Sequence, residues 1–234
     1  MQNSLEAALY IVPTPIGNLG DITRRAMEVL GSADVIACED TRRAGVLFQQ
    51  LKIEKSKFVS YHILNETERS LGLIETVKQG KTVALISDAG TPGISDPGYR
   101  IIRTAIDNGI KVIPLPGAVA FISALVASGL PTNKFIFLGF PPHKKGRKTF
   151  LDEACSYNFT TILYESPHRV LKLMRELIDR GCGERQICLA REISKMFEEF
   201  IRGDVNTVFE QLTSKDKIKG EFVVIIEGNN TENK

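Results

Sequence analysis

An apolar run, Leu85-Ile86-Ser87, stops at Asp88 and opens into a loop of small residues, Ala89-Gly90-Thr91-Pro92-Gly93-Ile94-Ser95-Asp96-Pro97-Gly98. In open α/β sheets ligands sit just beyond the carboxyl ends of strands, and small residues there let backbone N–H and C=O groups come close. A carboxylate at such a strand end accepts hydrogen bonds from a hydroxyl pair such as that of a ribose. The loop has no lysine and no Gly-Lys-Ser/Thr ending, so it is not a triphosphate-binding P-loop. Carbonyls together with Asp88 and Asp96 suit a ligand that carries hydroxyls and positive charge.

Five further clusters end strand-like runs or fill the loops after them: Pro13 to Asp21, Glu39 to Arg43, Pro116 to Ala120, Glu165 to Arg169, and Arg191 to Glu199. Any one alone reads as a turn or a surface ion-pair network; together they are expected to converge on one edge of the sheets. Gly17-Asn18-Leu19-Gly20-Asp21 lacks the GxGxxG spacing of a dinucleotide site. The run His143-Lys144-Lys145-Gly146-Arg147-Lys148 is either a solvated turn or a phosphate grip that binds without sequence specificity and in a salt-dependent way. The three histidines are too scattered for a metal triad, no nucleophile elbow is present, and the four cysteines form no CxxC pair, so neither triad hydrolysis nor a zinc site is expected and no metal ligand is assigned.

The elements that would hold these clusters alternate. Strands are expected at 9–12, 35–38, 82–87 and 110–115. Helices are expected from Asp21 or Thr23 through Leu30, on a stripe of Ala44, Leu47, Phe48 and Leu51, at 66–79, and after Pro97. That is the grammar of a mainly parallel α/β sheet. After Pro116-Gly117 a small-residue helix at 118–129 and a strand at 135–139 begin a different pattern, so the division is placed between domains 1–116 and 117–234. The second domain is expected to have strands at 160–164, 187–191, 196–202 and 221–227 and helices near 147–156, 167–180 and 204–213. The neighbouring strands near 187 and 196 should pair antiparallel. A polar tail from Asn229 to Lys234 is expected to fray. At 234 residues, 43% hydrophobic, 25% charged and net charge +2, the chain reads as an ordinary globular protein whose nucleic-acid contacts, if any, come from a local patch. No leader pattern and no apolar run near 20 residues is present, and a cytoplasmic protein is expected.

At these residues the chain resembles the tetrapyrrole-methylase superfamily of S-adenosylmethionine-dependent enzymes. Within it, the chain is similar to the branch that methylates a cytidine ribose 2'-hydroxyl in the decoding region of 16S ribosomal RNA. The matching stretches are Thr14 to Thr23, Glu39-Asp40-Thr41-Arg42, Ser87 to Gly98, Tyr164 to Arg169, Arg191-Glu192, Lys195, Glu198-Glu199, and Gly220-Glu221 through Glu227-Gly228. Departures are Pro13 in place of a small residue, Ala44 in place of a hydroxyl residue, Pro141 in place of an aliphatic one, and Ser194 in place of threonine. The resemblance implies a two-domain α/β fold, with a mainly parallel N-terminal sheet, a mixed C-terminal sheet, the cofactor in the cleft between them, and a homodimer. It implies that Pro13, Asp88, Ala89, Gly90, Thr91, Ile94, Val119, Ala120 and Tyr164 line the cofactor pocket, and that Arg42, Lys144, Lys145, Arg147, Arg169 and Arg191 hold RNA phosphates. The general base is nominated among carboxylates, Glu165 and Glu39, whose burial would raise the pKa. A methylase of a tetrapyrrole precursor and a non-catalytic RNA-binding assembly factor are the alternatives.

Overall fold

The computed structural model describes residues 5–54 and 57–229; the expected tail beyond 229 lies outside them. The chain divides into one unit ending at Val119 and a second starting at Ala120, whereas the sequence places the division at the Pro116-Gly117 turn.

The first unit is built on a five-stranded, all-parallel sheet of order β3-β2-β4-β1-β5. Its strands are β1 (Leu9–Ile11), β2 (Val35–Cys38), β3 (Lys57–Ser60), β4 (Val83–Ile86) and β5 (Val112–Pro114). The central strands β1, β2 and β4 are buried at every position, as parallel strands covered on both faces must be. Alternate residues feed two cores. Tyr10, Ile36, Ala84 and Ile86 pack on one side, and Leu9, Ile11, Val35, Ala37 and Leu85 on the other.

Helices cover both faces. Thr23 caps α1 (Arg24–Ser32) by accepting the Ala26 N–H at 3.0 Å, and Asp40 caps α2 (Thr41–Gln50) by accepting the Arg42 N–H at 2.8 Å. α3 (Glu66–Lys78) and α4 (Tyr99–Asp107) complete the unit. The edge strand β3 is not expected from the sequence: it opens on exposed Lys57 and none of its residues is fully buried, so it carries no apolar run.

The second unit is a mixed five-stranded sheet of order β6-β7-β10-β8-β9. Its strands are β6 (Phe135–Gly139), β7 (Thr160–Glu165), β8 (Gln186–Arg191), β9 (Glu199–Asp204) and β10 (Phe222–Ile226). β8 and β9 pair antiparallel, as the sequence predicts, and only β6–β7 is parallel. α6 (Arg147–Ser156), α7 (Val170–Ile178) and α8 (Val205–Thr213) contribute Leu151, Leu173, Met174 and Val208 to a core shared with Leu163, Leu189 and Val224. α5 (Ala120–Ser128) lies against β7, β8 and β10, and its Phe121 stacks on Phe137 at 4.2 Å. No helix among the described residues is long and apolar enough to cross a membrane.

Candidate active site

Because β1, β2, β4 and β5 run parallel, the loops that follow them leave from one edge of the first sheet. They are knitted together there. Thr14 and Gly90 exchange backbone hydrogen bonds of 2.9 and 3.1 Å, and the Thr91 hydroxyl donates to the Ala118 carbonyl at 2.9 Å. Gly90 has φ +84, and a Cβ there would stand 3.3 Å from Ile16. A Cβ on Gly117 would overlap the Pro13 ring. Both sites therefore need glycine for close approach. Pro13, Asp88, Ala89, Gly90, Thr91, Ile94 and Val119 thus fall on this edge, with Pro13 and Gly90 buried and Ala89 and Ile94 exposed.

Charge at this edge is mostly negative. Asp88 accepts the Arg43 guanidinium at 2.8 Å and the Asp40 N–H at 3.3 Å. The Arg42 guanidinium folds onto Asp40 and holds its carboxyl well below the usual carboxylate range. Burial, reinforced by Asp88, raises the pKa of Glu39 at the end of β2. Burial pushes Asp96 up to about 6, with Glu39 and Asp88 adding to the effect and a hydrogen bond from Ser87 opposing it.

An acid whose pKa rises on folding contributes stability that is complete below its unfolded value, 3.8 for Asp96, and is lost as pH rises through about 6. Asp96→Asn is therefore expected to melt above the wild type at pH 8, with the gain vanishing near pH 4. Thermal unfolding across that range checks it, and a pH-independent difference would refute the coupling.

The second unit gathers the remaining clusters in the same way. β7 and β8 both run antiparallel to β10, and Glu165 and Arg191 stand in register with the same residue, Phe222. Tyr164, half-buried on β7, meets Phe137 and Phe140 at 5.0 and 5.3 Å. Ala120 opens α5.

Two expectations need correction here. Arg147 is not part of the exposed basic run. Its side chain is 5% exposed and paired with Glu176 at 2.7 Å, with Glu165 at 3.5 Å, while its Nη1 donates to the Pro142 carbonyl. Glycine at 146, with φ +82, turns the chain so that α6 starts with its first side chain facing inward. Glu165 is buried, as its nomination as base supposed, but it is engaged by arginines. Its carboxylate has no solvent exposure and accepts from the Ser166 N–H and from Arg169, both at 2.8 Å. Its carboxylate lies against two guanidiniums, and its Oε2, like Arg147 Nη2, has no hydrogen-bond partner.

Arg169 is tied to Glu165 and largely buried, but its Nε and Nη1 have no hydrogen-bond partner. Lys144 and Lys145 are exposed. Arg191 pairs with Glu199 at 3.1 Å and donates to the Lys219 carbonyl. Arg42 is 87% exposed beyond its contact with Asp40.

A cavity of about 690 Å³ opens at the edge of the first sheet, lined in part by Pro15, Asp40, Arg42, Arg43 and Asp88. Sequence reasoning singles out Asp88 and the Glu39–Arg43 cluster but misses that Arg43, Val46, Leu47 and Gln50 together form a wall. Those four have the i, i+3, i+4, i+7 spacing of one helix face. That signal lies beside the buried stripe of Ala44 and Phe48, which dominates the pattern. Among the described residues no group of three or more His, Cys, Asp or Glu could hold a metal ion.

Residues 8–208 match the model of the Tetrapyrrole (Corrin/Porphyrin) Methylases. The chain belongs to this family. A methylase relative from Hydrogenobaculum sp. (strain Y04AAS1), named Ribosomal RNA small subunit methyltransferase I, is 46% identical over 95% of this chain and 96% of its own length. A relative of the same name from Vibrio cholerae is 46% identical over 94% of this chain and 77% of its own. Solved structures share the tetrapyrrole-methylase fold at low identity. A diphthine synthase aligns with a TM-score of 0.73 and 16% identity, covering 94% of this chain and 89% of that one. A uroporphyrin-III C-methyltransferase from Thermus thermophilus, complexed with S-adenyl homocysteine, aligns with a TM-score of 0.62 and 16% identity, covering 93% and 96%.

Proposed function

We propose that this tetrapyrrole-methylase family member is an S-adenosylmethionine-dependent methyltransferase of small-subunit ribosomal RNA, acting on a cytidine ribose 2'-hydroxyl of 16S RNA. The observation that carries the reading is the 46% identity over nearly the full length of both chains with a protein of that name. On this reading the enzyme is a cytoplasmic homodimer.

The residues present fit the cofactor. Knitted loops offer carbonyls, glycines permit close approach, and Asp88, Glu39 and Asp96 supply negative charge where a P-loop would supply a lysine. S-adenosylmethionine, when bound, supplies a methyl group already activated on a positively charged sulfur. Asp88 would accept hydrogen bonds from its ribose hydroxyls, and Pro13, Ala89, Gly90, Thr91, Ile94, Val119, Ala120 and Tyr164 would contact the rest of it.

Chain residues have three further tasks: to orient the RNA hydroxyl, to exclude water, and to take its proton. Exposed Lys144, Lys145 and Arg42, together with Arg191, suit phosphate oxygens, whereas Arg169, whose Nε and Nη1 are buried as well as unpartnered, would reach a phosphate only by swinging its side chain outward. The Glu39 carboxylate is the better proton acceptor of the two nominated. Burial raises its pKa and so makes its carboxylate a stronger base, whereas Glu165 is committed to two arginines. Glu39→Gln is accordingly expected to lower kcat by roughly 10²-fold or more with little change in KM; full retention of kcat would remove Glu39 as the base.

The reading itself is tested by offering labelled S-adenosylmethionine with small subunits lacking the modification, with protein-free 16S RNA and with a porphyrin precursor. Label on RNA supports it. Label on the porphyrin precursor alone would assign the chain to small-molecule methylation, and cofactor-dependent label on neither substrate would point to an assembly factor.

A further inference from the structure

The loop between β8 and β9, residues 192–198, is held more firmly than its length requires, and what it presents is apolar. Two of its non-glycine residues, Glu192 and Ser194, sit in the left-handed region at φ 51 and 63, a conformation that persists only where surroundings enforce it. Those surroundings are visible. The Lys195 ammonium donates to Glu192 and Glu221 at 2.9 Å each, the Glu192 carboxylate also accepts the Glu221 N–H at 3.0 Å, and Glu198 accepts the Ser194 N–H at 2.8 Å. At the tip, Met196 is 90% exposed and Phe197 is 67% exposed. A strained, cross-braced loop that keeps a methionine and a phenylalanine side by side in water has the features of a recognition element rather than a turn.

We propose that Met196 and Phe197 form a stacking platform for an unpaired nucleobase of the RNA substrate, a proposal that rests on the reading of the substrate as RNA. Sequence-selective RNA recognition works on splayed bases stacked against aromatic side chains, and every base offers an apolar face for that contact. Charge around the loop agrees. The carboxylates at its foot are engaged, Glu192 by Lys195, Glu198 by a backbone N–H, and Glu199 by Arg191 and Lys215. Lys217 and Lys219 are exposed in the adjoining segment, whose Lys219 carbonyl accepts from Arg191. The segment that carries these two lysines is joined to the foot of the loop through Arg191, where exposed Glu198 and the Lys195-paired Glu221 also stand, and its lysines suit the phosphates flanking a splayed base.

The chain contains no tryptophan, so Phe197→Trp places a single reporter at the tip. Its emission is expected to be quenched on titration with small subunits, because the indole would then lie against the stacked base. Phe197→Ala should raise KM for subunits about tenfold or more, the loss expected from one stacked base, while kcat and S-adenosylmethionine affinity hold. Unquenched emission at saturating subunits, or an unchanged KM for Phe197→Ala in an enzyme that methylates RNA, would overturn the platform alone. A wild type that transfers no methyl group to RNA would overturn the functional reading instead. If Phe197→Ala breaks a dimer while RNA affinity is kept, the loop is a subunit contact and the proposal fails.

Discussion

Asp88→Asn is expected to weaken S-adenosylmethionine binding on the order of a hundredfold, equivalent to about 3 kcal/mol of charge-assisted hydrogen bonding lost to the ribose hydroxyls, and to leave the melting temperature nearly unchanged. The two halves of that expectation have different causes. The amide oxygen still accepts the Asp40 N–H that Asp88 accepts at 3.3 Å, so the loop after β4 keeps its local bond. Arg43 loses its partner, but its side chain is 71% exposed, and pairs of that kind contribute at most about 1 kcal/mol. What disappears is the negative charge at the ligand edge. Calorimetry with the cofactor and thermal unfolding of the same sample separate the effects. Unchanged affinity would take Asp88 out of the site, and a large drop in melting temperature would make it a structural residue.

Arg147→Met is expected to have the largest effect on folding, a loss of about 3–5 kcal/mol, which is the usual cost of leaving a buried charge without its partner. The Glu165 side chain is fully enclosed and Glu176 is 21% exposed, so neither gains full hydration when the guanidinium goes. For a unit of this size the melting temperature should fall by more than about 10 °C. Replacing exposed Lys144 and Lys145 with alanine should leave the melting temperature in place and weaken subunit binding in a salt-dependent way. Adding Glu176→Gln to Arg147→Met should restore part of the stability, because Glu176 is the carboxylate that loses its partner, whereas Glu165 keeps Arg169 at 2.8 Å. If Arg147→Met instead melts normally and loses RNA affinity, Arg147 is a phosphate contact after all.

Much of the architecture is legible in the sequence because its signals are local. Val35–Cys38 and Phe135–Gly139 are compact apolar runs, and Thr23 is a cap whose hydrogen bond forms where the residue type predicts it. β3 is not legible, since an edge strand with an exposed first residue carries no periodicity. Asp88 stands out in the sequence as a candidate because a strand ending in an acid and opening into small residues is itself a chemical statement.

The inward turn of Arg147 is different in kind. A run of His, Lys, Lys, Gly, Arg and Lys reads as uniformly basic, and only the left-handed Gly146 and the carboxylates of Glu176 and Glu165, distant in sequence, draw one member into the core. The same non-local pairing removes Glu165 from the candidate bases. Its carboxylate is enclosed between two arginines, which makes it a structural tether.

The most direct test is to map the methyl group. Small subunits from cells lacking this protein, incubated with it and labelled S-adenosylmethionine, should carry label at a single cytidine of 16S RNA. The linkage 3' to that nucleotide should resist alkaline cleavage, because its 2'-oxygen is methylated and can no longer attack the neighbouring phosphate. Label on a base, spread over many nucleotides or absent from the RNA with cofactor binding intact would contradict the account.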